Sequence, residues 1–148
     1  NTPHAITEDS KGRILVADLV GGNFHDYMTV QGQIEPHRTQ PEDGAVHRIQ
    51  RLTPDGEYID EWTHIIPLSL TTYGGRIYAS DKMSDLAILD EETGEVIERV
   101  EKISVYIHQL AIDQHGDLYC ASVYPEHAGE KRGPEGPSHR RWSRELAS

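Results

Sequence analysis

The chain has 148 residues, 36% hydrophobic and 26% charged, which is enough apolar material for one ordinary core and too much for global disorder. A formal net charge of -11 argues against a phosphate backbone as partner, and no apolar run approaches the roughly 20 residues that a membrane span needs. The single cysteine, Cys120, excludes an internal disulfide, sits in an apolar strand pattern that reads as a buried thiol, and leaves the compartment open.

In chain order, Pro3-His4-Ala5-Ile6-Thr7 reads as a short strand. A turn containing Gly12 leads to a second strand, Ile14-Leu15-Val16-Ala17-Asp18. An insertion over 21–45 follows. Then Val46–Leu52 and Glu57–Trp62 form a hairpin about Thr53-Pro54-Asp55-Gly56, with apolar and polar residues alternating. The outline restarts at Pro67-Leu68-Ser69-Leu70-Thr71, passes Gly75 and Ile77–Asp81, and continues through Leu86–Leu89 and Glu95–Val100. It starts a third time at Ile107-His108-Gln109-Leu110-Ala111, with Gly116 and Leu118–Ser122, an insertion over 125–138, and a strand-like segment His139–Arg144. From the turn glycine to the closing Asp or Ser is six positions in all three repeats: 12 to 18, 75 to 81 and 116 to 122.

Equal spacing, four strands per repeat and the absence of helical periodicity predict an all-β chain of propeller blades, with a β-sandwich as runner-up. The expected blades are 3–62, 67–100 and 107–148, forming a single segment over 1–148. The insertions 21–45 and 125–138 both fall between second and third strands, over one rim.

The outline Pro-His-x-Ile, then Gly-Arg-Ile-x-Val-Ala-Asp, then Arg-Ile-x-x-Leu-x-Pro-Asp-Gly-Glu resembles the NHL-repeat family of six-bladed β-propellers. The resemblance covers nearly the whole chain. It implies a partial ring, closed by further sequence or by a second chain as a homo-oligomer. The chain is similar in particular to the peptidyl-α-hydroxyglycine α-amidating lyases, whose inner-strand histidines from alternate blades bind zinc in the central channel. His4 and His108 hold that first position in repeats one and three, and Leu68 stands between them. The resemblance therefore implies that His4 and His108 ligate zinc or another divalent metal, one ligand short of a three-residue set. The lyase's Asp-Gly-Tyr aligns with Asp81-Lys82-Met83, which lacks the catalytic tyrosine, so catalytic residues stay unassigned.

Two functions follow. One is a metal-dependent lyase or hydrolase acting on a small or peptide-like substrate in a His-lined channel. The alternative is a non-catalytic binding or scaffold module that recognises a partner through rim loops. His25, His37 and His47, in or beside the first insertion, are candidates for a channel-mouth loop, with Asp26, Glu35 and Asp43 nearby. His64, His115, His127 and His139 read as turn or loop residues. Asp18 and Asp81 are expected to cap the turns that follow them. Tyr78 and Tyr119 share one repeat position and are expected in the core, and Trp62 is expected against the next blade. Arg140, Arg141 and Arg144 read as a solvated strand edge. No nucleophile elbow and no phosphate loop is present.

Overall fold

The computed structural model of the protein describes residues 2–19, 47–82, 84–104, 107–122 and 139–142. The insertions 21–45 and 125–138, with His25, His37 and His127, lie outside the described residues. Eleven strands and no helix are found among the described residues. They form three antiparallel sheets in which neighbours in sequence are neighbours in space. The first holds β1 (Thr2–Glu8), β2 (Ile14–Leu19), β3 (Arg48–Leu52) and β4 (Tyr58–Trp62). The second holds β5 (Leu70–Tyr73), β6 (Arg76–Asp81), β7 (Asp85–Asp90) and β8 (Val96–Val100). The third holds β9 (Ile107–Ile112), β10 (Leu118–Ser122) and β11 (His139–Trp142). The all-β expectation holds.

The turns explain why the chain reverses where it does. Between β1 and β2, Asp9 Oδ1 accepts the amides of Lys11 and Arg13, both at 2.9 Å. Between β9 and β10, Asp113 Oδ1 accepts those of His115 at 2.9 Å and Asp117 at 3.0 Å. An Asp side chain thus replaces a backbone acceptor at the head of each turn. Sheet two differs. Tyr73 pairs directly with Arg76, leaving only Gly74 and Gly75 at the tip, with φ of 58° and 75°. Two successive left-handed residues make the tight hairpin turn whose twist matches the strands.

The three sheets are layered face on face. Leu15, Ala17, Ile49 and Trp62 of sheet one pack on Leu70, Ile77, Ala79 and Leu89 of sheet two. The opposite face of sheet two, through Tyr78, Leu86, Ile88 and Val100, packs on Ile107, Leu110, Leu118 and Cys120. Cys120 is buried as expected.

Charge fastens the first joint. Arg51 is 7% exposed. Its guanidinium grips Asp60 at 2.8 and 2.5 Å and donates to the carbonyls of Glu91 at 3.1 Å and Glu92 at 3.0 Å. It also lies over the Trp62 ring, 5.1 Å from the centroid. Sheet one thereby holds the β7–β8 turn of sheet two through a desolvated fork that meets both a carboxylate and the orphan carbonyls of that turn. Trp62 reaches the next sheet as expected. Its indole lies against Gly94, where φ is 71° and a Cβ would overlap the ring.

Asp18 and Asp81 each hold an arginine from another strand, and the segment that follows Asp18 lies outside the described residues. Asp18 Oδ2 accepts from Arg48 Nε at 2.9 Å, directly opposite on β3. Asp81 takes the Ile66 amide at 2.9 Å on one oxygen and Arg99 on the other. Both carboxylates are buried, and the guanidinium partner offsets the desolvation of each.

Candidate functional site

The first strand of each sheet carries the site. β1 lies beside β5, and β5 beside β9. Together they line a groove of about 520 Å³ that includes His4, Ser69, Thr71, His108 and Gln109. That volume falls within the range of small-ligand sites.

His4 and His108 come together in this groove. Their ring centroids are 5.4 Å apart and the planes stand at 85°. Edge-to-face rings at this spacing form a favourable aromatic pair. The spacing also matches what two imidazoles on one tetrahedral cation require, since metal–nitrogen bonds of about 2.0 Å put the centroids about 5 Å apart. His4 Nδ1 lies 2.8 Å from the carbonyl oxygen of Leu68. A carbonyl only accepts, so Nδ1 carries the hydrogen, and the lone pair of the neutral ring sits on Nε2. A backbone carbonyl on the far nitrogen is how metal-binding histidines are oriented.

Two serines set this arrangement, and the sequence pattern did not single them out. Ser80, fully buried, accepts the amides of Leu68 at 3.0 Å and Ser69 at 2.8 Å on its hydroxyl oxygen. This fixes the entry to β5, and with it the Leu68 carbonyl that orients His4. Ser69, also buried, accepts the Leu110 amide of β9 at 2.9 Å. At the far end of β1, Thr72 donates to the Glu8 carbonyl at 2.7 Å. The three first strands are therefore joined by side-chain to backbone bonds, with the serine network at the histidine end. The available signal was a serine at position 80 where the other repeats have Ala17 and Ala121.

Among the described residues, no group of three or more His, Cys, Asp or Glu converges to hold a metal ion. The described donor set is thus two imidazoles. His47 lies immediately before β3 and is 3% exposed. His64 donates from Nε2 to the Gly94 carbonyl at 3.0 Å, and His115 occupies the β9–β10 turn. His139 opens β11. Tyr78 packs in the second core cluster, but Tyr119 is 37% exposed and its hydroxyl donates to Asp113 at 3.0 Å. No protein-family model and no curated protein matches the chain.

Proposed function

We propose that the three sheets are consecutive blades of an NHL-type β-propeller, and that His4 and His108 form two ligands of a divalent-metal site in its central channel. The blade reading is supported by the up-and-down strand order of each sheet, the face-to-face layering, and the alignment of β1, β5 and β9 along one groove. The observation that carries the metal reading is the convergence of His4 and His108 to 5.4 Å from two different sheets, with the His4 tautomer set by Leu68. The described residues supply two of the donors that a catalytic zinc site uses.

A bound divalent ion would polarise a substrate oxygen or lower the pKa of a water. The chain's own residues bind and orient. His4 is held by Leu68, Ser69 ties β5 to β9, and the groove beside the pair accepts a small or peptide-like substrate. The reaction class is a metal-assisted lyase or hydrolase step that does not use the tyrosine of the α-amidating lyases.

Calorimetric titration with zinc at neutral pH tests this. The wild-type chain is expected to bind zinc, and His4→Ala and His108→Ala should each weaken binding by about 10-fold or more. Equal zinc uptake by all three chains would contradict the metal reading and favour a non-catalytic binding module.

A further inference from the structure

Among the described residues, two that are not glycine adopt the left-handed backbone region: Lys82 with φ of 48° and Lys102 with φ of 53°. That region crowds Cβ against the following carbonyl, so a lysine there is strained where a glycine would not be. Asn and Asp ease the conformation by bonding locally, which a lysine side chain does not. Strain of this kind persists where the surroundings enforce it, and it gathers at binding sites.

Both lysines stand at the histidine end of sheet two. Lys82 follows directly on the last residue of β6. Just before it, Ser80 holds the amides of Leu68 and Ser69, and Asp81 holds that of Ile66. Leu68 carries the carbonyl that orients His4, and Ser69 lines the groove with His108. Lys102 lies in the connection from β8 to β9, six residues before His108. Its amide donates to Asp85 Oδ1 at 2.9 Å, and the Ser104 amide lies 3.4 Å from the Ser84 carbonyl oxygen. The stretch 102–104 is thereby fastened onto the turn that contains Lys82.

Charge sets these two lysines apart as well. Lys11, Arg13, Arg48, Arg51 and Arg99 each hold a carboxylate. Lys82 and Lys102 are exposed, and neither ion-pairs among the described residues. The two aspartates that flank the turn are already engaged, Asp81 by Arg99 and Asp85 by the Ser84 hydroxyl and the Lys102 amide. In a chain with 25 acidic and 14 basic residues, a cation left without a carboxylate is available to an outside anion.

We propose that Lys82 and Lys102 form a rim site for a carboxylate of the substrate that the groove receives. Each ammonium is a compact point charge on a flexible stem, able to meet an oxyanion without a fixed fork geometry. The net charge of -11 repels a dianion more than a monoanion, so a carboxylate suits the site better than a phosphate. Assigning the anion to a groove substrate rests on the reading under Proposed function, whereas the anion site itself does not.

Magnetic resonance titration of the full, zinc-free chain tests both parts. The probes are N-acetyl-trialanine with a free carboxylate and the same peptide as its C-terminal amide. The carboxylate probe is expected to shift Lys82, Lys102 and the groove residue Thr71, and to bind more tightly than the amide. Lys82→Ala and Lys102→Ala should each weaken its binding about 2- to 5-fold, as for an exposed ion pair, and added salt should weaken it too. Lys82→Gly should lose the same binding yet raise the urea midpoint, because relief of the left-handed strain exceeds the entropy cost of glycine. A wild-type chain that binds neither probe, or binds both equally, overturns the site. So do alanine variants that bind as the wild type does, or a Lys82→Gly chain with a lowered midpoint. Shifts at the lysines with none at Thr71 overturn the assignment to a groove substrate. Zinc is absent throughout, so failure of the metal reading is seen separately in the zinc titration.

Discussion

Replacing Gly94 with alanine should be among the most damaging single-methyl additions in the protein. Gly94 has φ of 71°, a left-handed conformation that costs an L-residue about 1–2 kcal/mol. A Cβ there would also overlap the Trp62 indole, which is 9% exposed and confined by Arg51 and the first core cluster. Overpacking of this kind adds about 1–3 kcal/mol, for a total of about 2–5 kcal/mol. A domain stable by about 5–15 kcal/mol would lose a large share of its margin. Gly56→Ala isolates the backbone contribution, because Gly56 has φ of 87° and nothing within 4 Å of its would-be Cβ. Urea unfolding followed by circular dichroism should place Gly94→Ala below Gly56→Ala by about 1–3 kcal/mol. Trp62→Leu should shrink that difference in a double-mutant cycle. Equal losses at Gly94 and Gly56 would refute the seating of Trp62 on the β7–β8 turn, and with it the joint between the first two sheets.

Ser80→Ala should destabilise by about 1–3 kcal/mol, because the buried Leu68 and Ser69 amides lose their acceptor; it should also loosen the His4 ring, measurable as weaker zinc binding at unchanged strand content. Leu89→Ala, at a position 0% exposed, should cost about 2–5 kcal/mol in denaturant unfolding, whereas Ile97→Ala on the exposed side of β8 should stay within about 0.5 kcal/mol. Acid should weaken the joint between sheets one and two. Hydrogen bonds from Arg13 and Lys11 hold the Glu92 carboxyl down to about 2 from its ordinary 4.5. The unfolded chain therefore binds the extra proton first. The stability this carboxylate contributes is complete above about 4.5 and is lost as pH falls through about 2. Glu92→Gln should flatten the stability profile across that window in urea titrations, and an unchanged slope would contradict the pairing.

Much of the strand order was legible because a repeat states the same pattern more than once. Six positions from turn glycine to closing residue placed β2, β6 and β10 in one register, and period-two alternation separated the faces of β3 and β4. What stayed hidden depends on neighbours remote in sequence. Ser80 occupies a column of alanines, so it reads as a small packing residue until Leu68 and Ser69 are seen to donate to it. Asp18 and Asp81 read as turn caps because local bonds are the only ones a strand-end aspartate announces, whereas Arg48 and Arg99 arrive from other strands. Tyr119 follows the pattern of Tyr78, but its hydroxyl reaches the turn carboxylate of Asp113, a partner the repeat pattern does not announce. His4 and His108 were singled out as a pair by position, but their approach to 5.4 Å depends on how three sheets stack.

The most direct test of the histidine site is the nitrogen-15 spectrum of the imidazoles with and without zinc. Before metal, His4 is expected as the Nδ1–H tautomer, and added zinc should shift a ring nitrogen of both His4 and His108, at Nε2 in His4. A His4 ring protonated on Nε2 at neutral pH, or zinc that moves neither ring, would contradict the account.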